Sequence, residues 1–293
     1  TIYLNPQEIQ LEEVVLYNFD LKKRVKYVLD NYFKLYDTKA KILECTYREK
    51  TTKNDKLIRL YQNQLNWWSK NYVYQFKEPL NKFTHIQLKS TDYSKIIGKE
   101  EDTSNELSLE QRRLIMYLHL NPYLVFLYNA KTIDIKKVEK DNEYTIVTFD
   151  ADFGKFDLNV FNSVIYFDNQ TNAIKKIIFN QVPYTKERVS EKSKIPYKST
   201  SEFATWELTF TSYKDKLLFS SFAVKAKVRV EFEEKTYIYF SEENFLRTGI
   251  QNKHIKKEDR IDVEKPFFEY VTPHKQGEAK FLLTKEEQEF INQ

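Results

Sequence analysis

The side chains that could do chemistry are few and scattered. His85, His119, His254 and His274 are far apart and fall in no HExxH or HxxxH spacing, so a zinc hydrolase has no support. His119 is expected at the end of a helix, where a structural role suits it. The densest acidic group is Asp150, Asp152 and Asp157. Asp150 and Asp152 share a face if the strand continues through them, which makes the three a weak candidate calcium or metal set. Gly154 and Lys155, however, stand where an EF-hand loop needs a ligand and its turn glycine. A hairpin turn with Gly154 at positive φ explains the same residues and is the preferred reading.

Cys45 is the only cysteine, which excludes an internal disulfide and a four-thiolate zinc site. It alternates with its neighbours as a buried strand residue would. Only four glycines occur, Gly98, Gly154, Gly249 and Gly277, so no phosphate-cradling loop or dinucleotide fingerprint can be assembled. There is no GxSxG elbow. Glu100 and Glu101 fall in a polar stretch, where charge serves solubility. These absences lead to the expectation of a non-enzymatic protein without a cofactor.

The elements that would position any site are mainly strands. Aromatic residues make up 16% of the 293, carried by 22 Phe and 21 Tyr, and these side chains favour pleated, half-buried surfaces. Forty-seven basic against 43 acidic residues leave a formal charge of +4 with both signs dispersed. The nearest basic cluster, Lys253, Lys256 and Lys257, runs straight into Glu258 and Asp259. Nothing here calls for nucleic acid.

Period-two patterns predict strands near 41–49, 56–67, 70–77, 82–88, 131–139, 143–150, 157–168, 173–181, 203–213, 217–233 and 235–246. In 217–233, Leu218, Ser220, Phe222, Val224, Ala226, Val228, Val230 and Phe232 share one face while Lys225, Lys227, Arg229 and Glu231 share the other. A strand of that length spans roughly 50 Å at ~3.3 Å per residue, so its sheet must twist and curl strongly. Polar joins at 168–172, 214–216 and 233–234 make neighbouring strands antiparallel.

Two helices are expected. One, near 20–36, is capped by Asp20 and carries an apolar stripe of Leu21, Val25, Val28, Leu29, Tyr32 and Tyr36. The other, near 108–120, has Ser108 and Gln111 in capping-box positions and ends before Pro122. The fold class is thus mainly β (α+β): a strongly curved antiparallel sheet or half-barrel packed on two helices. The chain divides into 1–18, a terminal strand or linker; 19–248, the half-barrel; and 249–293, a C-terminal extension that ends in a short helix. No apolar run is long enough for a membrane-spanning helix. A transmembrane barrel fits poorly, because 31% of residues are charged and most strands carry Lys or Glu on one face. The opening Thr1-Ile2-Tyr3-Leu4, with no initiator Met or signal peptide, reads as a processed or trimmed start.

The segment Val164-Ile165-Tyr166-Phe167-Asp168-Asn169-Gln170-Thr171-Asn172-Ala173-Ile174 resembles the strand-turn-strand "IYID…T.AI" of Bacteroidota envelope proteins with a carboxypeptidase-regulatory-like domain. Ile2 to Val15 is similar to the last strand and exit of their regulatory β-sandwich. Asn31-Tyr32 with Tyr47-Arg48-Glu49, and Pro266-Phe267-Phe268-Glu269-Tyr270, resemble elements that follow it. Asn162-Ser163 departs from the family, which often has glycine there. The resemblance implies a body like the half-barrel of periplasmic lipoprotein carriers, a periplasmic or outer-membrane-associated location and no peptidase activity.

Two functions follow as expectations. The first is a structural or interaction protein of the envelope, an accessory subunit of an outer-membrane assembly. The second is a carrier that holds a lipid or acyl chain against a concave lining of Phe161, Ile165, Phe167, Phe210, Phe222 and Val224. The same six side chains would equally fill a dry core, and cores are commoner than cavities.

Overall fold

The computed structural model describes residues 19–97, 111–154, 159–190, 193–263, 265, 267–274 and 283–292. Segment 1–18, Ser108 and Asp157 therefore lie outside the described residues.

The chain opens with α1 (Leu21–Asp30) and α2 (Tyr32–Leu35). Asp20 accepts the Lys23 amide at 2.9 Å, the N-cap that its position predicts. Leu21, Val25 and Val28 form the buried stripe. Two long strands follow, β1 (Lys41–Lys53) and β2 (Lys56–Ser69). They are joined by a tight turn in which Asn54 and Asp55 both take positive φ, the geometry that two-residue hairpins require. After α3 (Leu80–Phe83) comes β3 (Thr84–Ile96). Then α4 (Gln111–Tyr117) and α5 (Leu120–Tyr128) lead into β4 (Thr132–Lys140), β5 (Tyr144–Asp152), β6 (Asn159–Asp168), β7 (Ile174–Asn180) and β8 (Tyr184–Val189). Three very long strands complete the sheet: β9 (Pro196–Tyr213), β10 (Lys216–Phe232) and β11 (Lys235–Gln251). The described chain ends in α6 (Lys285–Asn292).

All strand pairs are antiparallel, in the order β3-β2-β1-β11-β10-β9-β7-β6-β5-β4, with β8 on the flank of β9 beyond β7. The first hairpin thus docks on the last strand, where Tyr47 faces Phe245 and Glu49 faces Glu243. The sheet is open, because β3 and β4 do not meet.

Curvature follows from packing. Laid flat, β2 and β10 stand three strand spacings apart, about 14 Å. Yet the rings of Trp67 on β2 and Phe219 on β10 sit 5.2 Å apart, with Phe245 of β11 against both. On the other limb Tyr123 of α5 meets Phe179 of β7 at 5.2 Å. One core of buried residues joins β1, β2 and β3 through α1 and α5 to β5, β6 and β7. The helices line the inner face of this half-barrel.

Three sequence readings are corrected. Residues 70–77 form no strand; Tyr72 takes φ 48°, and Asn121 satisfies the backbone of Tyr74 through both its N–H (2.8 Å) and its C=O (3.1 Å). A side-chain amide replaces the ladder there. The helical region does not stop before Pro122 but bends at Leu118–His119 and continues as α5, with Pro122 in its first turn, where the missing N–H has no helical partner to lose. Strand β8 gave no apolar alternation because it is an exposed, polar flank.

Segments of 249–293 pack on both faces. Phe267, Phe268 and Val271 join the inner core, and His274 bridges backbone to backbone with Ser94. On the outer face, Phe290 and Ile291 of α6 cover Leu57, Leu60 and Tyr93, and Glu287 meets Arg48 at 2.8 Å and Lys50 at 3.1 Å.

Trp67 is 1% exposed and touches Tyr72, His119, Phe219 and Phe245. Trp67→Ala removes the contact that draws the two limbs together and is expected to cost ~3–5 kcal/mol, read as a lowered urea midpoint. Phe203→Ala, at an outer position 36% exposed, is expected to change stability by less than about 1 kcal/mol.

Candidate functional site

The residues proposed to line a concave site come together, with one exception. Ile165 and Phe167 on β6, Phe210 on β9, and Phe222 and Val224 on β10 are all buried on the inner face. Phe210 packs on Tyr36 at 5.2 Å, Phe222 on Tyr117 at 6.3 Å and Phe167 on Phe19 at 6.2 Å, so residues of the helices and of the segments that flank them occupy the space in front of the sheet. A cavity of about 20 Å³ remains between Tyr36, Trp67, Tyr72, His119, Phe210 and Leu217. That is room for about one water, not for an acyl chain.

Phe161 is the exception and corrects the sequence reading. Asn162 takes φ 43° and the β5–β6 register slips there, from Phe149 opposite Ser163 to Ala151 opposite Val160. The bulge reverses the alternation, and Phe161 stands 39% exposed on the outer face.

The acidic candidates serve the backbone. Asp150 accepts the Asn162 amide at 2.7 Å and pairs with Lys136 at 3.2 Å, and Asp152 accepts the Gly154 amide at 2.7 Å. Gly154 has φ 58°, as the turn reading requires. Among the described residues, no three His, Cys, Asp or Glu are placed to hold a metal. Cys45 is a buried free thiol. His85 stacks on Trp68 at 4.8 Å and receives a guanidinium N–H of Arg260 at 2.9 Å. His119 is enclosed by the rings of Trp67, Tyr74 and Phe83, and its Nδ1 faces the Ile115 carbonyl at 2.7 Å. Burial holds its pKa down to about 4.

Sequence alone did not disclose a buried charged cluster on the inner face. Glu49 of β1 and Glu243 of β11 stand directly opposite one another, 4% and 2% exposed. Arg59, fully buried, reaches Glu49 at 3.4 Å, and Thr51 donates to Glu49 at 3.1 Å. Tyr61 donates to Glu49 and Tyr47 to Glu243 at 2.7 Å. Burial first, and the adjacent carboxylates second, push both phenols well above their ordinary pKa. The C-terminal segment closes over the cluster: Phe268 lies 4.5 Å from the Arg59 guanidinium, and Phe267 contacts Tyr47 at 5.1 Å and Tyr61 at 6.2 Å. The visible hint in the sequence was one strand face that runs Leu43, Cys45, Tyr47 and then Glu49. The second carboxylate comes from 194 positions further along and only the pairing brings it in.

The outer face holds a larger recess. It measures about 400 Å³ and is bordered by Tyr144, Tyr166, Lys175, Lys176, Thr209 and Thr211, within the ~300–1,000 Å³ of small-ligand sites. Tyr166, Lys176 and Thr209 stand side by side across β6, β7 and β9, and Tyr144 faces Asp168 across β5 and β6. Because Ile165 and Phe167 point into the core, Tyr166 and Asp168 must point out. Lys175 bonds Asp168 at 3.4 Å and sits 5.9 Å from the Tyr144 ring; Lys176 bonds Glu207 at 2.7 Å and sits 5.9 Å from the Tyr166 ring. Burial alone would raise Asp168, but the Thr171 amide and hydroxyl and the Lys175 ammonium outweigh it and hold its pKa below the usual value. Asp168 is therefore ionised at neutral pH.

No protein-family model matches this sequence, and no curated protein matches it. Among solved structures, a LolA superfamily protein from Nitrosomonas europaea is similar over 84% of this chain and 99% of its own, at 10% identity and a TM-score of 0.30.

Two outcomes are expected. Arg59→Met leaves the buried Glu49 carboxylate without its guanidinium and should lower stability by ~3–5 kcal/mol, whereas the double variant Arg59→Met/Glu49→Gln should recover much of that loss, measured by urea unfolding. His119 has a folded-state pKa of about 4, against 6.5 ordinarily. Between those values the unfolded chain takes up a proton and the folded chain does not, so stability falls as the pH drops from 6.5 toward 4. The contribution of His119 is at most roughly 3 kcal/mol, and His119→Phe should flatten the profile in that window by a corresponding amount.

Proposed function

We propose that this chain is a non-enzymatic interaction protein of the cell envelope, periplasmic or outer-membrane-associated, that acts as an accessory component of an outer-membrane assembly. It recognises an envelope component through the outer-face recess on β5, β6, β7 and β9. The observation that carries this reading is the contrast between the two faces. The inner face is filled by the chain's own helices and C-terminal segment, while the outer recess has half-buried tyrosines and paired charges with no described element packed over it.

Two further points support it. The residues that resemble the Bacteroidota envelope family, Val164 to Ile174, supply Tyr166 and Asp168 to the recess and the turn that orients them; Asp168 accepts the amides of Gln170 at 3.1 Å and Thr171 at 2.9 Å. The paired carboxylates Glu49 and Glu243, which could otherwise suggest acid–base catalysis, are sealed beneath Phe267 and Phe268 away from any substrate. A carrier would need α5 or the 267–271 segment to leave the inner face before an acyl chain could enter.

The test is co-sedimentation of the purified chain with isolated envelope fragments, paired with native mass spectrometry of the protein extracted from its own envelope in mild detergent. Wild type is expected to sediment without a stoichiometric lipid, and Tyr166→Ala/Lys176→Glu to lose at least tenfold in bound fraction at an unchanged melting temperature. A monomer with one acyl-chain ligand would replace this reading with the carrier. Recovery of the natively expressed protein from the cytosol would sink the envelope assignment.

A further inference from the structure

The recess on the outer face has a definite chemical character. Six ionised side chains border or adjoin it, three cationic and three anionic. Lys175 is bonded to Asp168 and Lys176 to Glu207, Arg247 donates to Thr211 at 2.9 Å, and Glu143 accepts the Tyr144 hydroxyl. The site is thus electroneutral. A phosphate or sulfate entering it would have to pull both ammonium groups away from their partners and leave Asp168 and Glu207 facing an anion. A cationic ligand meets the mirror-image problem.

A purely apolar ligand is excluded on different grounds. The lysine and carboxylate of each pair are only partly exposed; their side chains retain 25% and 17% of their surface in one pair and 31% and 37% in the other. Covering them with hydrocarbon would remove their remaining water and return no hydrogen bonds. What the recess offers is a mixture: donors from two ammonium groups, acceptors from two carboxylates, hydroxyls on Thr209, Thr211 and Ser212 that do either, and two tyrosine rings set edge to face with centroids 6.2 Å apart.

A ligand that suits all of these is uncharged, rich in vicinal hydroxyls and apolar on its C–H faces. Each hydroxyl both donates and accepts, so it can bridge a lysine and its carboxylate without breaking the pair. The C–H face lies against an aromatic ring. We infer that the Tyr144–Tyr166 recess is a binding site for a neutral oligosaccharide, reached from the outer face of the sheet. The inference rests on the reading of this recess as the recognition surface, and supplies its ligand class.

The experiment probes the full chain on an array that carries neutral hexose and N-acetylhexosamine oligosaccharides beside sulfated and uronate-containing ones. Titration calorimetry of wild type, Tyr144→Ala, Tyr166→Ala and Lys176→Met follows on the best neutral hexasaccharide found. Binding of at least one neutral oligosaccharide is expected, weakened at least tenfold by Tyr166→Ala and unaffected by replacing chloride with phosphate. Because Tyr144, Tyr166 and Lys176 are partly exposed, melting temperatures within about 2 °C of wild type are expected and would show that the variants fold. Retention of the acidic oligosaccharides alone, lost on Lys176→Met, would overturn the neutral assignment in favour of an anion site. Silence across the array would overturn the oligosaccharide itself. If the array is silent while Tyr166→Ala still releases the chain from envelope fragments, only the ligand class has failed; if Tyr166→Ala sediments as wild type does, the recess is not the recognition surface and both readings fall.

Discussion

An open antiparallel sheet has two faces, and a chain with few helical residues can dry only one of them by bending it. Nine spacings separate β3 from β4, about 43 Å if the sheet were flat. The nine residues of α5 reach only about 14 Å along their axis. The sheet must therefore close around its helices, and the contact of Trp67 with Phe219 and Phe245 marks where the two limbs converge. The helix positions, the length of β9, β10 and β11, and the separation of inner from outer chemistry all depend on that bend.

Bending has a second consequence along the strands. Strands of 17 and 18 residues outrun the helices that cover them, so one end of the inner face needs another cover. The tail provides it with Phe267 and Phe268, over a surface of Glu49, Arg59, Tyr61 and Glu243 instead of further Leu and Val. Buried charge of this kind adds little net stability against an apolar equivalent, but it penalises misregistration. A one-residue slip of β1 against β11 would turn the Glu243 carboxylate of β11 and its partner Tyr47 of β1 to opposite faces. The cluster fixes the docking of the first hairpin on the last strand, the longest-range pairing in the sheet.

Much of this was legible in the sequence, for reasons that are local. The alternation in β10 from Phe222 to Phe232, the turns at 168–172 and 233–234, and the Asp20 cap each depend on residues within a few positions, and each was placed correctly. A register shift between Phe219 and Ser221, by contrast, breaks the expected alternation before Phe222 and brings Phe219 against Trp67. What was missed depends on distant partners. Residues 70–77 alternate like a strand, but Asn121 takes the backbone hydrogen bonds of Tyr74 at their centre. Phe161 belongs by count with Ile165 and Phe167, yet a bulge at Asn162 reverses it. Glu49 and Glu243 look like ordinary strand charges until pairing sets them opposite each other. The outer recess was invisible for a related reason: its Tyr166 and Asp168 sit in a motif noticed for its pattern, while Thr209 and Glu207 come from a strand read only for its inner face.

The two ends of the outer face are treated differently, and that difference bears on function. Over β2 and β3 it is covered by α6, whose Phe290 and Ile291 bury Leu57 and Leu60. Over β5, β6, β7 and β9 no described element covers it, although Tyr144 and Tyr166 stand there half-buried. Lysines elsewhere on this sheet are also paired, as on β4, where Lys136 meets Asp134 and Asp150 and Lys137 meets Glu139. In the recess each lysine is tied to a carboxylate and is set near a tyrosine ring as well. Ordering long side chains in this way costs conformational entropy, and exposed ion pairs contribute little in return. Groups held in fixed positions at that cost are preorganised, so a ligand that matches them need not order them again on binding.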